Sequence, residues 1–245
     1  MESNTLFQYS VVSALMDGVA SNGLPLQTLS QHGNHGLGTF RRMAGEMIII
    51  DGQIYSMKAD GSVTLISSTE QTETVTPYAM VTRFSPTITK KVKLGGKDEL
   101  KDFLTNLIPR TSNNYLAFRV DGVFKSVTVR AAGPQKEKGE GLVAVCARQT
   151  VFELEPEEGG GIGGTIIGFR SPAFLQGVSV AGDHLHFITD DRKRGGHMLG
   201  FETEGEVEVQ VAGMWRVELE LPKDDEEFEN AKLVGDNEGI KAVEG

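Results

Sequence analysis

Asp183-His-Leu-His-Phe-Ile-Thr-Asp-Asp-Arg-Lys-Arg-Gly-Gly-His-Met-Leu-Gly-Phe201 reads as a strand, a polar turn carrying Gly195-Gly196, and a second strand returning beside the first. Three of the chain's five histidines fall within it: His184, His186 and His197. Side chains two apart on a strand project to one face, so His184 and His186 stand together. The returning strand brings His197 across to that face. Three imidazoles meeting there leave a tetrahedral cation one open position, the arrangement of a catalytic zinc rather than a sealed structural one. A single histidine on a strand is ordinarily a polar or half-buried side chain; His-x-His with a third histidine across a glycine turn shifts the reading to metal. Such hairpins also occur in cupin-type barrels, where a glutamate follows shortly after. Here those positions hold Asp190 and Asp191, so that match is incomplete.

Around the hairpin, strands are expected over 142–154, 165–170, 177–181, 206–211 and 214–221. The polar break Gly133-Pro-Gln-Lys-Glu-Lys-Gly-Glu-Gly141 is the expected seam between two halves, 1–140 and 141–245. Before it, two Asp-Gly dipeptides between apolar runs predict tight hairpins. One pairs Glu46–Ile50 with Gln53–Met57 about Asp51-Gly52; the other pairs Tyr115–Val120 with Val123–Ala131 about Asp121-Gly122. Leu100, Phe103, Leu104 and Leu107 predict a helix over 97–108. Leu6, Phe7, Val11, Leu15 and Val19 predict another over 6–20, ending near Ser21-Asn-Gly23. Gly33 to Phe40 reads as a glycine-rich loop, and Val63–Ile66 and Pro77–Phe84 as strands.

Bulk properties narrow the function classes. A net charge of −10 argues against nucleic acid, whose phosphates attract basic surfaces. An anionic substrate stays open if a local arginine or metal reverses the field in a pocket. The single cysteine, Cys146, excludes an internal disulfide framework and reads as a buried core thiol in the run Leu142-Val-Ala-Val-Cys-Ala147. No apolar run reaches the length of a membrane span, and the N-terminus lacks a signal-peptide pattern, so a cytoplasmic protein with no membrane partner is expected.

Other features carry less. Glu157-Glu-Gly-Gly-Gly-Ile-Gly-Gly164 lacks the Lys-Ser/Thr pair of a phosphate-cradling loop and reads as a flexible linker. Asp224 to Glu229 reads as a solvated acidic turn or helix face. Arg130 ends an alternating strand, and pattern alone fits a solvated arginine as well as a carboxylate clamp. Glu46 and Glu244 are unremarkable by spacing.

Taken together, these stretches resemble the alpha-acetolactate decarboxylases. The resemblance runs from Phe7-Gln-Tyr-Ser10 and Leu15-Met-Asp-Gly18 through Gly36-Leu-Gly-Thr-Phe40, Gly45-Glu-Met47 and Asp51-Gly52. It continues with Pro77-Tyr-Ala-Met-Val-Thr82, Phe118-Arg-Val-Asp-Gly122, Phe124-Lys-Ser-Val127 and Arg130. The histidine hairpin is its most specific part, and Val243-Glu-Gly245 matches the family's acidic tail. Ala44 departs where the family often has aspartate, and the glycines near 159–164 look like a local insertion.

The resemblance implies zinc on His184, His186 and His197, with no organic cofactor. It implies active-site carboxylates at Glu46 and Glu244, either able to reach the metal. Arg130 would face the substrate, with Thr39 in support. The implied fold is α/β of the α+β type, with two β-rich subdomains of mixed and antiparallel sheets and a few helices. Residues 1–140 would contribute Glu46 and Arg130, and 141–245 the metal-bearing strands and the tail. The implied activity converts (S)-2-acetolactate to (R)-acetoin and carbon dioxide in a homodimer, and 2-aceto-2-hydroxybutyrate is a further substrate to consider.

The chemistry is coherent with that set. Losing carbon dioxide from a β-keto acid leaves an electron pair to be held as an enediolate, which a Lewis-acidic cation stabilises. Neutral histidine ligands leave zinc its full charge. A nearby carboxyl group can then deliver the proton to one face. Three rivals remain from the hairpin alone: a zinc-hydroxide hydratase or hydrolase, a binding module with a structural metal, and a cupin-like iron dioxygenase.

Overall fold

The computed structural model describes residues 3–109, 112–156, 160–234 and 237–244, without the side chains of 237, 243 and 244. In chain order the first part runs β1 (Thr5–Tyr9), α1 (Val12–Met16), β2 (Leu24–Pro25), α2 (Leu26–Leu29), β3 (His35–Thr39) and β4 (Glu46–Ile50). Next come β5 (Gln53–Met57), β6 (Val63–Leu65), α3 (Glu70–Glu73), β7 (Val75–Thr76) and β8 (Ala79–Thr82). It continues with β9 (Ile88–Val92), α4 (Lys97–Leu107), β10 (Tyr115–Ala131), α5 (Leu142–Cys146), β11 (Thr150–Leu154) and β12 (Ile162–Ser171). The last elements are β13 (Gly182–Thr189), β14 (Gly195–Thr203), β15 (Val207–Met214), β16 (Arg216–Glu220), α6 (Glu226–Asn230) and α7 (Asn237–Glu244).

Two seven-stranded sheets carry the fold, so the expected β-rich pair with few helices is what is found. The first has the order β16-β1-β8-β3-β4-β5-β6 and is antiparallel except for the parallel pair β1 and β16. The second has the order β12-β13-β14-β10-β15-β9, with β11 on β10. Because β10 pairs with β12 as well as β14, the strands β12, β13, β14 and β10 close on themselves. The apolar interior of that closed unit is Phe118, Phe124, Leu185, Phe187 and Met198, with neighbours from β12 and β15.

Alternation decides which side chains meet between the sheets. On β4, Met47 and Ile49 join the core on the far face of the first sheet, with Phe7 and Leu26. Ile48 and Ile50 point the other way, onto Ile167 and Ile188 of the second sheet. Glu46 has the parity of Ile48 and so faces the second sheet. On β13, Leu185 and Phe187 fill the closed interior, which leaves His184, His186 and Ile188 facing the first sheet.

The two Asp-Gly dipeptides part company. Asp51 and Gly52 take φ of 52° and 79°, the left-handed pair that a type I′ hairpin requires, and β4 and β5 pair about them. Asp121 and Gly122 make no turn. They lie within the continuous strand β10, whose first half pairs with β12 and β15 and whose second half pairs with β14 and β11. A side chain at Gly122 would come within 2.5 Å of Val207 Cγ1, so this glycine admits a close neighbour rather than a bend.

Other expectations are corrected. Residues 5–9 are a strand buried on both faces between β16 and β8, and only Val12–Met16 is helical. Burial on both faces takes in Thr5 and Gln8 as well as the apolar residues, so the apolar spacing did not report the strand. The expected glycine-rich loop at 33–40 is largely strand β3, and the expected strand over 142–154 is helix α5 followed by β11. Residues 177–181 form only an isolated bridge, Gln176 with Ser179. Of the expected linker, 157–159 lie outside the described residues and Ile162–Gly164 belong to β12. Gly195-Gly196 opens β14 instead of forming the turn. The seam at 140–141 does not divide the sheets, because β10 before it pairs with β11 after it. The chain enters the second sheet between β8 and β9 and leaves it after β15. No described helix is long and apolar enough to cross a membrane.

Candidate metal centre

The hairpin β13–β14 sets His186 directly opposite His197 in register, and His184 stands two residues back on the same face. The ring centroids lie 5.1 Å apart for His184–His186, 5.1 Å for His184–His197 and 5.4 Å for His186–His197. One ligand nitrogen from each ring falls within 4.8 Å of the others, and all three residues are buried. That closeness lets one ion draw a ligand from each ring.

The electrostatics keep the rings neutral. Burial pushes His184 down to about 3, and the charge of Arg130 adds to it. Burial also holds His186 and His197 well below the usual histidine range; the His184 ring reinforces the shift at His186, and Arg130 reinforces it at His197. Neutral imidazole is the metal-binding form.

His186 shows which nitrogen is offered. Its Nδ1 lies 2.7 Å from the backbone carbonyl of Met47, and a carbonyl can only accept, so Nδ1 carries the proton. Nε2 is then a lone-pair donor. It is buried without a hydrogen-bond partner among the described residues, and stands 3.6 Å from Glu46 Oε2. A buried imidazole nitrogen with its lone pair aimed at a carboxylate oxygen is costly unless a cation sits between them. A backbone carbonyl that accepts from the far ring nitrogen and fixes the tautomer is the usual companion of a metal-bound histidine. The donor set fits a zinc ion.

The first sheet supplies the facing groups. Glu46 opens β4, and Thr39 is its register partner on β3. Thr39 donates its hydroxyl proton to the Gly45 carbonyl at 2.8 Å, which holds the turn just before Glu46. Arg130, near the end of β10, is the register partner of His197 and only 2% exposed. Its Nη1 donates to Gln149 Oε1 at 2.7 Å and lies 3.3 Å from Cys146 Sγ. A small cavity of about 30 Å³ is lined by Thr39, Glu46, Arg130 and His184, together with the apolar Leu15 and Leu142.

Six of the seven singled-out residues therefore converge: Thr39, Glu46, Arg130, His184, His186 and His197. The side chain of Glu244 lies outside the described residues. The helix that carries it, α7, packs on α5 and α1, and its Ile240 is fully buried in the cluster containing Leu15 and Leu142. Three participants had no sequence signal. The Met47 group is backbone, Gln149 follows no motif, and Cys146 proves to be a cavity-lining residue on a helix.

Fold and site together define a two-sheet protein with three buried histidines able to hold a metal ion, close to a carboxylate and an arginine. The family model for alpha-acetolactate decarboxylase matches residues 6–235. Among curated relatives, the alpha-acetolactate decarboxylase of Methanosarcina mazei is 38% identical over 99% of this chain and 81% of its own length. That of Klebsiella aerogenes is 34% identical over 90% of this chain and 81% of its own. The crystal structure of the Bacillus subtilis strain 168 enzyme superposes with a TM-score of 0.89 at 29% identity, covering 98% of this chain and 99% of that one. A Staphylococcus aureus protein described as similar to alpha-acetolactate decarboxylase gives 0.89 at 28%, covering 98% and 100%. The chain belongs to the alpha-acetolactate decarboxylase family, and with it to the carboxy-lyases.

Proposed function

We propose that this protein converts (S)-2-acetolactate to (R)-acetoin and carbon dioxide, as a step of acetoin and 2,3-butanediol formation. The observation that carries the reading is the neutral, buried triad whose His186 Nε2 looks across 3.6 Å at Glu46, beside a cavity that also holds Arg130. His184, His186 and His197 would hold zinc. When bound, zinc supplies Lewis-acid stabilisation of the negative charge that departs from the carboxylate into the substrate's ketone oxygen.

The protein's own groups do the rest. Arg130 orients the substrate carboxylate, whose bond to C2 breaks as carbon dioxide leaves. Glu46 and Glu244 are the proton-carrying groups, and one of them protonates C2 on a single face to give a chiral product. Thr39 holds the turn that aims Glu46. Leu15 and Leu142 turn apolar surface toward the substrate's alkyl groups, a wall compatible with the ethyl group of 2-aceto-2-hydroxybutyrate. The tail helix α7 closes over the site and limits water.

The test is to mix purified protein with 2-acetolactate, follow carbon dioxide release and resolve the acetoin formed. Activity should vanish on chelation and return with zinc, and (R)-acetoin should dominate. Chelation-sensitive turnover of esters or hydration of carbonyls, with no carbon dioxide, would place the protein among the zinc-hydroxide enzymes instead.

A cytoplasmic homodimer is part of the same reading. Trp215, Val217, Leu219 and Leu221 are exposed along the edge strand β16, an apolar stripe suited to a second copy. Light scattering that gave a monomer at micromolar concentration would remove the dimer.

A further inference from the structure

Arg130 is held by its surroundings in a way the reaction does not itself explain. Two contacts of Nη1 come from the end of α5 and the turn after it: Gln149 Oε1 at 2.7 Å and Cys146 Sγ at 3.3 Å. These two partners are neutral, so what they contribute to the guanidinium is orientation.

The frame behind Gln149 is rigid. Its backbone N–H closes the turn onto the Cys146 carbonyl at 3.0 Å, and the next residue, Thr150, enters β11 opposite Ala131. Val151 is then the register partner of Arg130 itself. On the other side of the turn, Arg148 is clamped by Glu140 through two bonds, 2.6 Å and 2.8 Å, and donates to the Ala144 carbonyl at 2.7 Å. The turn is thus fixed from outside by Arg148 and from below by β11, and Gln149 transmits that position to the guanidinium.

We infer that Gln149 is a positioning residue for Arg130, setting the plane in which the guanidinium meets a substrate carboxylate. This rests on the role proposed for Arg130 above. An arginine fork binds a carboxylate through two parallel bonds, and a small rotation of its plane spoils both at once.

The experiment uses the full zinc-loaded protein and two variants. Gln149→Met keeps the volume of the side chain and removes the acceptor. Its KM for 2-acetolactate should rise about tenfold, the scale of a misplaced binding group, with kcat changed less. Calorimetry with 2-hydroxy-2-methylpropanoate, an unreactive carboxylate probe, should show the same loss of affinity, while zinc content and Tm stay at the parent values. Unchanged KM and probe affinity in Gln149→Met overturn the inference. So does a fall in Tm and zinc content with probe affinity retained, which would mark a purely structural residue. Arg130→Gln separates this from the reading beneath it. If Arg130→Gln binds the probe and turns over like the parent, the arginine's role fails; if it loses the probe while Gln149→Met does not, only the positioning fails.

Discussion

The two sheets meet at the site with different duties. The second contributes His184, His186 and His197 from one hairpin, neutral, buried and close enough for one ion. The first contributes Glu46 and Thr39, paired where β3 runs into β4, and both line the cavity. On the proposed roles, the metal-holding groups come from the second sheet and the carboxylate from the first, with Arg130 of β10 standing beside the histidines. The three histidines sit within strands of a closed unit, and Glu46 sits at the first residue of its strand.

The sharpest way to break that division is His186→Ala. Removing this ligand should abolish metal retention and lower turnover on the order of a thousandfold or more, as expected when several kcal/mol of charge stabilisation is lost. Inductively coupled plasma analysis beside the decarboxylation assay reads both. Glu46→Gln should give the opposite pairing, full zinc content with turnover lowered roughly a hundredfold or more, the scale of a missing acid–base group. If Glu46→Gln also empties the site, Glu46 belongs with the holders. Removing residues 243–245 should act like Glu46→Gln, with zinc kept and turnover sharply reduced. Thr39→Val gives up one buried hydrogen bond, 2.8 Å to Gly45, and should cost about 1 kcal/mol in Tm-derived stability with a modest loss of rate.

A pH-dependent effect concerns the fourth buried histidine. His35 on β3 is packed between Phe84 and Phe169, at ring distances of 4.5 Å and 5.3 Å, and burial pushes its pKa down to about 3. The unfolded chain protonates it below about 6.5. Between those values the unfolded state binds the extra proton, so stability is full above 6.5 and is lost as pH falls toward 3. The slope is about 1.4 kcal/mol per pH unit for this one group. Denaturant titrations of His35→Phe, compared with the parent at each pH, should show that share of the slope removed. Equal slopes would mean the ring is protonated in the folded state.

How much of this was legible in the sequence follows from what each residue's role depends on. The histidine hairpin was readable because strand parity alone places His184 with His186, and the return places His197 opposite. Asp51-Gly52 was readable because a turn is a local event. Asp121-Gly122 was not, since what decides it is Val207, more than eighty residues away, pressing on the glycine. The same is true of residues 5–9: their helical spacing of apolar groups loses to burial between β16 and β8. Glu46, Thr39 and Arg130 carry no spacing signal and entered through family resemblance. Their meeting depends on how one sheet lies on the other. Gln149 and the Met47 carbonyl could not have been found by pattern at all.

The hydrogen bond from His186 to the Met47 carbonyl has one more implication. Met47 and Glu46 are consecutive, so a single stretch of β4 both tunes a ligand ring and presents the acid. Slipping β4 by one residue would turn the carboxylate to the far face and withdraw the carbonyl in the same motion. Occupancy of the ion would therefore act as a rivet between the sheets, and a half-docked enzyme would be metal-poor and inert together, never merely slow.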